Sequence, residues 1–262
     1  MKEPIITPRI SSLKCKIFWG IVISIIILIC IYFFWRSVSY LTFSNSNRLA
    51  LLQFLGTGLS TYINENGHLP PAFIADDNGT PMHSWRVLLL PEFGLNSLYA
   101  RYNFNEPWNG PHNKKLIAEM PEYTYDCKYI RHQKGKTNYV AVIGPDTVWN
   151  GSKEFFKKET GGKWRRTIWI LELNDSDIDW TEPRDLTIEE AIAYIQGKDS
   201  THWKRLSKVY GLTGSMNRIN IPATATTEVL EALFSTDESK VIPYKPGTLE
   251  IDFEYSSNNQ KP

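Results

Sequence analysis

Residues Ile17 to Trp35 read IFWGIVISIIILICIYFFW, 19 positions without a charge. A helix needs about 20 apolar residues to cross the hydrocarbon core of a bilayer. Only a helix satisfies its own backbone there within one segment. At a few tenths of a kcal/mol per Ile, Leu, Val or Phe, insertion is favourable by about 5 kcal/mol or more. Trp19, Tyr32 and Trp35 lie near the ends of the run, where aromatic rings prefer the membrane interface. The run is longer than the roughly 7–15 residues of a signal-peptide apolar region, and no small-x-small cleavage site follows it. It is apolar all round, unlike a core helix that buries one face. Residues 17–35 are therefore expected to form a single transmembrane helix. Lys2, Arg9, Lys14 and Lys16 precede it against Glu3 alone. Positive flanks stay inside, which places residues 1–16 in the cytoplasm, the following domain outside it, and the chain in the cytoplasmic (inner) membrane.

Without residues 1–35 the chain keeps 25 basic and 27 acidic groups, because Lys2, Arg9, Lys14, Lys16 and Glu3 are removed from totals of 29 and 28. That slightly acidic balance argues against a nucleic-acid partner, which calls for a basic face. The hydrophobic fraction of 42% is that of a globular chain with enough apolar residues for a core. Of the three cysteines, only Cys127 lies beyond the apolar run, so the outer domain has no internal disulfide. Cys127 reads as a small buried apolar residue.

Beyond the span, residues 36–66 are expected to form a helical spine. Leu49, Leu52 and Leu59 with Phe54, Leu55, Tyr62 and Ile63 recur at helical spacing, and a break is allowed at Ser44–Asn47. Residues 67–255 are expected to form an extracytoplasmic α+β domain with an antiparallel sheet and short helices, and residues 256–262 a disordered tail. Within the domain, Asp76-Asp77-Asn78-Gly79 marks a hairpin turn. Residues 95–102 and 113–120 read as short helices. Residues 139–143 and 167–173 read as core strands, with 144–166 as a long loop between them. Thr187 to Glu190 forms a capping box. Residues 208–213 and 216–221 read as a strand pair, 226–234 as a helix and 249–255 as an edge strand.

Several segments occur in a familiar order: His83-Ser84-Trp85-Arg86-Val87-Leu88-Leu89-Leu90-Pro91, Glu106-Pro107-Trp108-Asn109-Gly110-Pro111, Thr137-Asn138-Tyr139-Val140-Ala141-Val142-Ile143-Gly144-Pro145 and Trp180-Thr181-Glu182-Pro183-Arg184-Asp185-Leu186. From about Arg48 to about Phe234 the chain resembles a bacterial prepilin-type family of unknown function (domain of unknown function 1559). The resemblance implies a pseudopilin-like architecture, with an N-terminal helical spine and an α+β head. Members usually carry a Gly-Phe cleavage site and a Glu five residues into the apolar helix. Lys14 to Ile21 offers no such site, and the span holds no Glu. That difference implies a permanent anchor rather than a processed filament subunit. The family's C-terminal His-x(9)-Asp-Gly signature is degenerate: His202 is followed by Thr213-Gly214 at a spacing one residue longer. Gly214 is expected to supply the permissive backbone of that turn.

Two sets of side chains are candidate sites. Trp149 and Trp164, in the loop 144–166, are the tryptophans expected to be exposed, as a stacking platform for a glycan or peptide; core packing is the alternative. Asp175, Asp177 and Asp179 alternate as calcium ligands do, although Trp180 and Leu186 occupy the positions where a calcium loop needs Gly and Glu. Calcium is the single candidate cofactor, and a solvated acidic turn is the competing reading. His83, His112, His132 and His202 are scattered and read as hydrogen-bonding residues. Arg184 is expected to pair with Glu182 or Asp185. No nucleophile elbow, zinc-protease helix or phosphate loop is present. The function expected is non-enzymatic: a membrane-anchored structural or assembly protein of the cell envelope. The span and the Leu49–Ile63 stripe would pack against the lipid bilayer and pilin-like or envelope protein partners. The alternative is an anchored binding module for an envelope glycan or protein.

Overall fold

The computed structural model describes residues 12–121, 124–125, 134–157, 161–174, 176–198, 209–243 and 250–253. The chain divides into two compact units, Met1–Asn47 and Arg48–Pro262. The first helix, α1, spans Ser12–Asn66 and is uninterrupted at Ser44–Asn47. In the first unit its segment Ile17–Arg36 is long and apolar enough to cross a membrane, and none of that segment is buried within the protein.

The second unit is α+β. It opens with the Arg48–Asn66 part of α1, followed by a small antiparallel hairpin of β1 (Phe73–Ala75) and β2 (Pro81–Ser84). The Asp-Asp-Asn-Gly turn closes the hairpin as its residues dictate. The Asp76 carboxylate accepts the N–H groups of Asn78 and Thr80, and Gly79 takes φ +82°. Three short helices follow: α2 (Trp85–Leu88), α3 (Asn96–Arg101) and α4 (Asn113–Leu116). The main sheet comprises β3 (Tyr139–Ile143), β4 (Ile168–Glu172), β5 (Leu186–Thr187), β6 (Val209–Thr213) and β7 (Arg218–Ile221), in the order β5-β3-β4-β6-β7. Three of its pairings are antiparallel, and the short β5 lies parallel to β3. Two helices, α5 (Ile188–Gln196) and α6 (Thr227–Phe234), complete the unit. Thr187 and Glu190 form the expected capping box at the start of α5, and Thr226 caps α6. Residues 250–253 form no extended strand; the rest of the expected edge strand, the tail 256–262 and Cys127 lie outside the described residues.

Side-chain alternation explains why the sheet is covered on both faces. On β3, Tyr139 and Ala141 enter one apolar cluster, and Val140 and Val142 enter the other. On β6, Tyr210 and Leu212 join the first cluster and Val209 the second. On β4, consecutive residues Trp169 and Ile170 both join the first cluster. The register against β6 shifts between Ile168 and Ile170, and such a bulge turns two neighbouring side chains the same way. Leu52, Leu55 and Leu59 of α1 cover the first face together with Trp85, Leu89 and Trp149. Ala191, Ile195, Val229 and Leu233 of α5 and α6 cover the second.

This packing corrects one expectation. Most of the Leu49–Ile63 stripe faces inward: Leu52, Leu55, Leu59 and Ile63 are buried in the head's own core, and Phe54 alone of the stripe is 45% exposed. Leu55→Ala should cost about 2–5 kcal/mol, the usual effect of removing a fully buried leucine side chain. Gln53→Ala, on the exposed side of the same helix, should stay within about 0.5 kcal/mol. Denaturant unfolding of the two variants in detergent checks both values.

Candidate functional site

Three of the four segments of familiar order meet at a buried ion pair. Arg86, in α2, donates through Nη2 to Asp185 Oδ1 at 2.6 Å, with both side chains almost fully buried. Asp185 also accepts the Ala141 backbone N–H of β3 at 2.7 Å and the Trp85 indole N–H at 3.2 Å. The Arg86 guanidinium donates further to the Tyr139 carbonyl and the Ser84 hydroxyl, and lies 4.7 Å from the Trp85 ring centre. The Tyr125 hydroxyl closes the group by donating to the Arg86 carbonyl at 2.6 Å. Burial pushes the Asp185 carboxyl up, while Arg86 and the Ala141 N–H draw it back down. A second buried pair joins Arg48 of α1 to Glu172 at the end of β4 through two hydrogen bonds, at 3.1 and 2.5 Å. Arg48 also lies 4.9 Å from the Tyr210 ring centre.

The candidate residues do not converge. Trp149 is 0% and Trp164 8% exposed, so neither forms the exposed platform expected of the loop. The loop folds back on the head. Trp149 bridges to Ile143, its indole donates to the Trp169 carbonyl at 2.8 Å, and the Ala72 N–H donates to the Gly151 carbonyl. Trp164 packs against Trp169, with Lys157 Nζ 4.6 Å and the Arg165 guanidinium 5.1 Å from its ring centre. Asp177 pairs with Arg184 at 3.2 Å and Asp179 with Lys136 at 2.8 Å; Asp175 lies outside the described residues. Arg184 therefore takes Asp177 and not Glu182 or Asp185, because Asp185 is held in the core by Arg86. Among the described residues no three His, Cys, Asp or Glu side chains cluster to hold a metal ion.

The histidines are held separately. His83 lies between the Tyr102 hydroxyl at 3.0 Å and the Phe104 carbonyl at 3.1 Å. His112 Nε2 meets the Arg101 carbonyl at 2.6 Å. His132 and His202 lie outside the described residues. The Glu106–Pro111 segment makes a local knot, in which the Glu106 carboxylate accepts the N–H groups of His112 and Asn113. The Asn113 side chain bonds Asn103 on its far side.

The turn of the degenerate signature has a different basis from the one expected. Gly214 has no left-handed φ; Met216 does, at +61°. A β-carbon at Gly214 would lie 2.2 Å from the Trp164 carbonyl oxygen and 2.7 Å from the Trp169 ring. The glycine is needed for close approach. Its N–H donates to the Thr167 carbonyl, and that of Ser215 donates to the Arg165 carbonyl at 2.8 Å. Thr213, where the signature has Asp, still accepts the Asn217 N–H with its hydroxyl.

Residues 50–176 match the model of a family described as protein of unknown function (DUF1559). The DUF1559 stretch contains Arg86 and its partners on β3, and ends before Asp185 and Gly214. No curated protein and no solved structure matches the chain.

Asp185→Asn, which leaves the Arg86 cation buried without a counter-charge, should destabilise the head by about 3–5 kcal/mol in denaturant unfolding. Burial lowers the His83 imidazole below its ordinary 6.5. Below about pH 6.5 the unfolded chain then binds the proton more readily, so stability falls as pH drops from 6.5 towards the folded value and levels off below it. Thermal midpoints measured between pH 7 and 5 should fall less steeply for His83→Gln than for the unaltered chain. Equal slopes refute this assignment.

Proposed function

We propose that the chain is a membrane-anchored, non-enzymatic structural or assembly protein of the cell envelope, with a pseudopilin-like plan of spine and head. The observation that carries this reading is where apolar surface is exposed. Large apolar side chains from Ile17 to Trp35 are about half to two-thirds exposed, including Leu28 at 65% and Phe34 at 66%. Among the described residues of the head, the exposed large apolar side chains are Phe54, Phe156 and Val241, at 45%, 36% and 75%. A band of that length and apolarity suits lipid, and a head with its leucine stripe consumed internally suits water.

The basic residues before the span put its N-terminus inside and the head outside. The absence of a Glu in the span removes the carboxylate that would seek a neighbouring subunit's amine during filament assembly. The anchor therefore acts as a permanent one, packing laterally through its apolar faces while the head makes the outer contacts. The buried ionic and aromatic groups support a structural role, because their polar atoms hold strands and turns together.

Spheroplasts expressing the chain with a C-terminal tag test this. The protein should stay with membranes in alkaline carbonate, keep its N-terminal residues by intact mass, and lose the head to external trypsin. A soluble head whose N-terminus begins after residue 36, or a head that trypsin reaches only in inverted vesicles, overturns it.

A further inference from the structure

A strip of partly exposed aromatic rings on the head joins an acidic pair to a basic pair. The acidic end is built on α1. Phe54, Gly58 and Tyr62 recur every four residues, which puts them on one side of the helix. A β-carbon at Gly58 would lie 2.3 Å from the Phe93 ring, so that ring rests directly on the helix and meets Phe54 at 4.9 Å. Phe93 thereby brings its neighbour Glu92 beside α1, within reach of the Glu65 carboxylate in the last turn. Burial raises the Glu92 carboxyl, and the charge of Glu65 raises it further. Burial also raises the Tyr62 hydroxyl, with Glu154, Tyr99 and Glu92 adding to it. Glu154 has a partner in His68, at 3.5 Å. Glu65 and Glu92 have no cationic partner among the described residues.

The basic end lies across the rings. Tyr62 meets His68 at 6.0 Å, and His68 meets Phe156 at 5.3 Å. Lys157 follows Phe156, and its Nζ lies 4.6 Å from the centre of the Trp164 ring. The Arg165 guanidinium lies 5.1 Å from the same centre. Burial lowers the Lys157 ammonium, and Arg165 lowers it further. Two cations therefore share one indole, and among the described residues neither has a carboxylate partner. Lys163 and Arg166 do not belong to this pair: Lys163 is held by the Asp237 carbonyl, and Arg166 has a partner of its own.

Like charges held side by side are relieved when an opposite pair faces them. Here the acids lack cations, the cations lack acids, and the strip Tyr62–His68–Phe156 runs between the two. A surface with one acidic and one basic end is complementary to itself under a two-fold rotation. We propose that a second copy of this chain docks on this surface about a two-fold axis, the acids Glu65 and Glu92 of each copy facing the cations Lys157 and Arg165 of the other. Phe54 and Phe156, the exposed rings beside the strip, supply the apolar part of the contact. The contact rests on the structural role proposed above and gives it a partner; a head found on the cytoplasmic side overturns that orientation and leaves the contact intact.

Sedimentation equilibrium of the full chain in density-matched neutral detergent tests it. The chain should form a reversible dimer that weakens as ionic strength rises. Glu65→Lys and Arg165→Glu, both at exposed side chains, should each weaken the dimer about tenfold. The double variant should return to within about threefold of the unaltered chain, because its exchanged charges again face opposite signs. Thermal midpoints measured in parallel identify a variant that has lost its fold; Glu65→Gln or Arg165→Gln then takes its place and should weaken the dimer in the same direction. A monomer at every concentration, an assembly larger than a dimer, folded single variants that associate as the unaltered chain does, or a double variant no tighter than the singles overturns the proposal.

Discussion

The Arg86–Asp185 pair joins parts of the head that are otherwise far apart in the chain, 99 residues from one partner to the other. Asp185 precedes β5, and its carboxylate takes the Ala141 N–H of β3, so the bond that neutralises Arg86 also helps seat β5 beside β3. Arg86 in turn reaches the Tyr139 carbonyl on β3 and stacks on Trp85, which packs 5.2 Å from Trp149. Removing two ions from water is costly, and a buried pair is tolerated only when its remaining donors and acceptors are also met. Here the backbone of β3 and the indole of Trp85 meet them, which ties the electrostatics of the core to the register of its sheet. Arg48 and Glu172 repeat the device between α1 and β4.

Much of this architecture was legible in the sequence because local chemistry specified it. The apolar run, the Asp-Asp-Asn-Gly hairpin, the β-branched strands, the β6–β7 pair and the Thr187 capping box each carry their own signal and need no distant partner. The parallel β5 was not legible. It is two residues long and directly follows Asp185, which Arg86 holds in the core. Trp149 and Trp164 were misread for a related reason. Glycine and lysine around them suggest an exposed loop, whereas the bonds that fold the loop inward run to Trp169, Ile143 and Ala72. His68 gave no pattern at all, yet it sits 3.5 Å from Glu154 and beside the Phe156 ring.

The glycine of the degenerate signature shows how one residue type can be required for different reasons. A turn glycine is usually explained by its freedom to take positive φ. At Gly214 the requirement is space for the Trp164 carbonyl, so a residue that tolerates left-handed geometry, such as Asn, gains nothing there. Thr213 meets the same Asn217 N–H that a carboxylate would accept, and its hydroxyl also donates to the Asn217 carbonyl, which a carboxylate could not do.

The placement of α1 against the sheet sets an order for biosynthesis. The helix leaves the ribosome early, with Leu52, Leu55 and Leu59 facing outward, while Glu172, the partner of Arg48, follows 124 residues later and β6 later still. Until those strands arrive the leucines have no covering surface, and contacts between such distant segments form slowly. The core beneath α1 therefore closes only once β4 and β6 have docked on it.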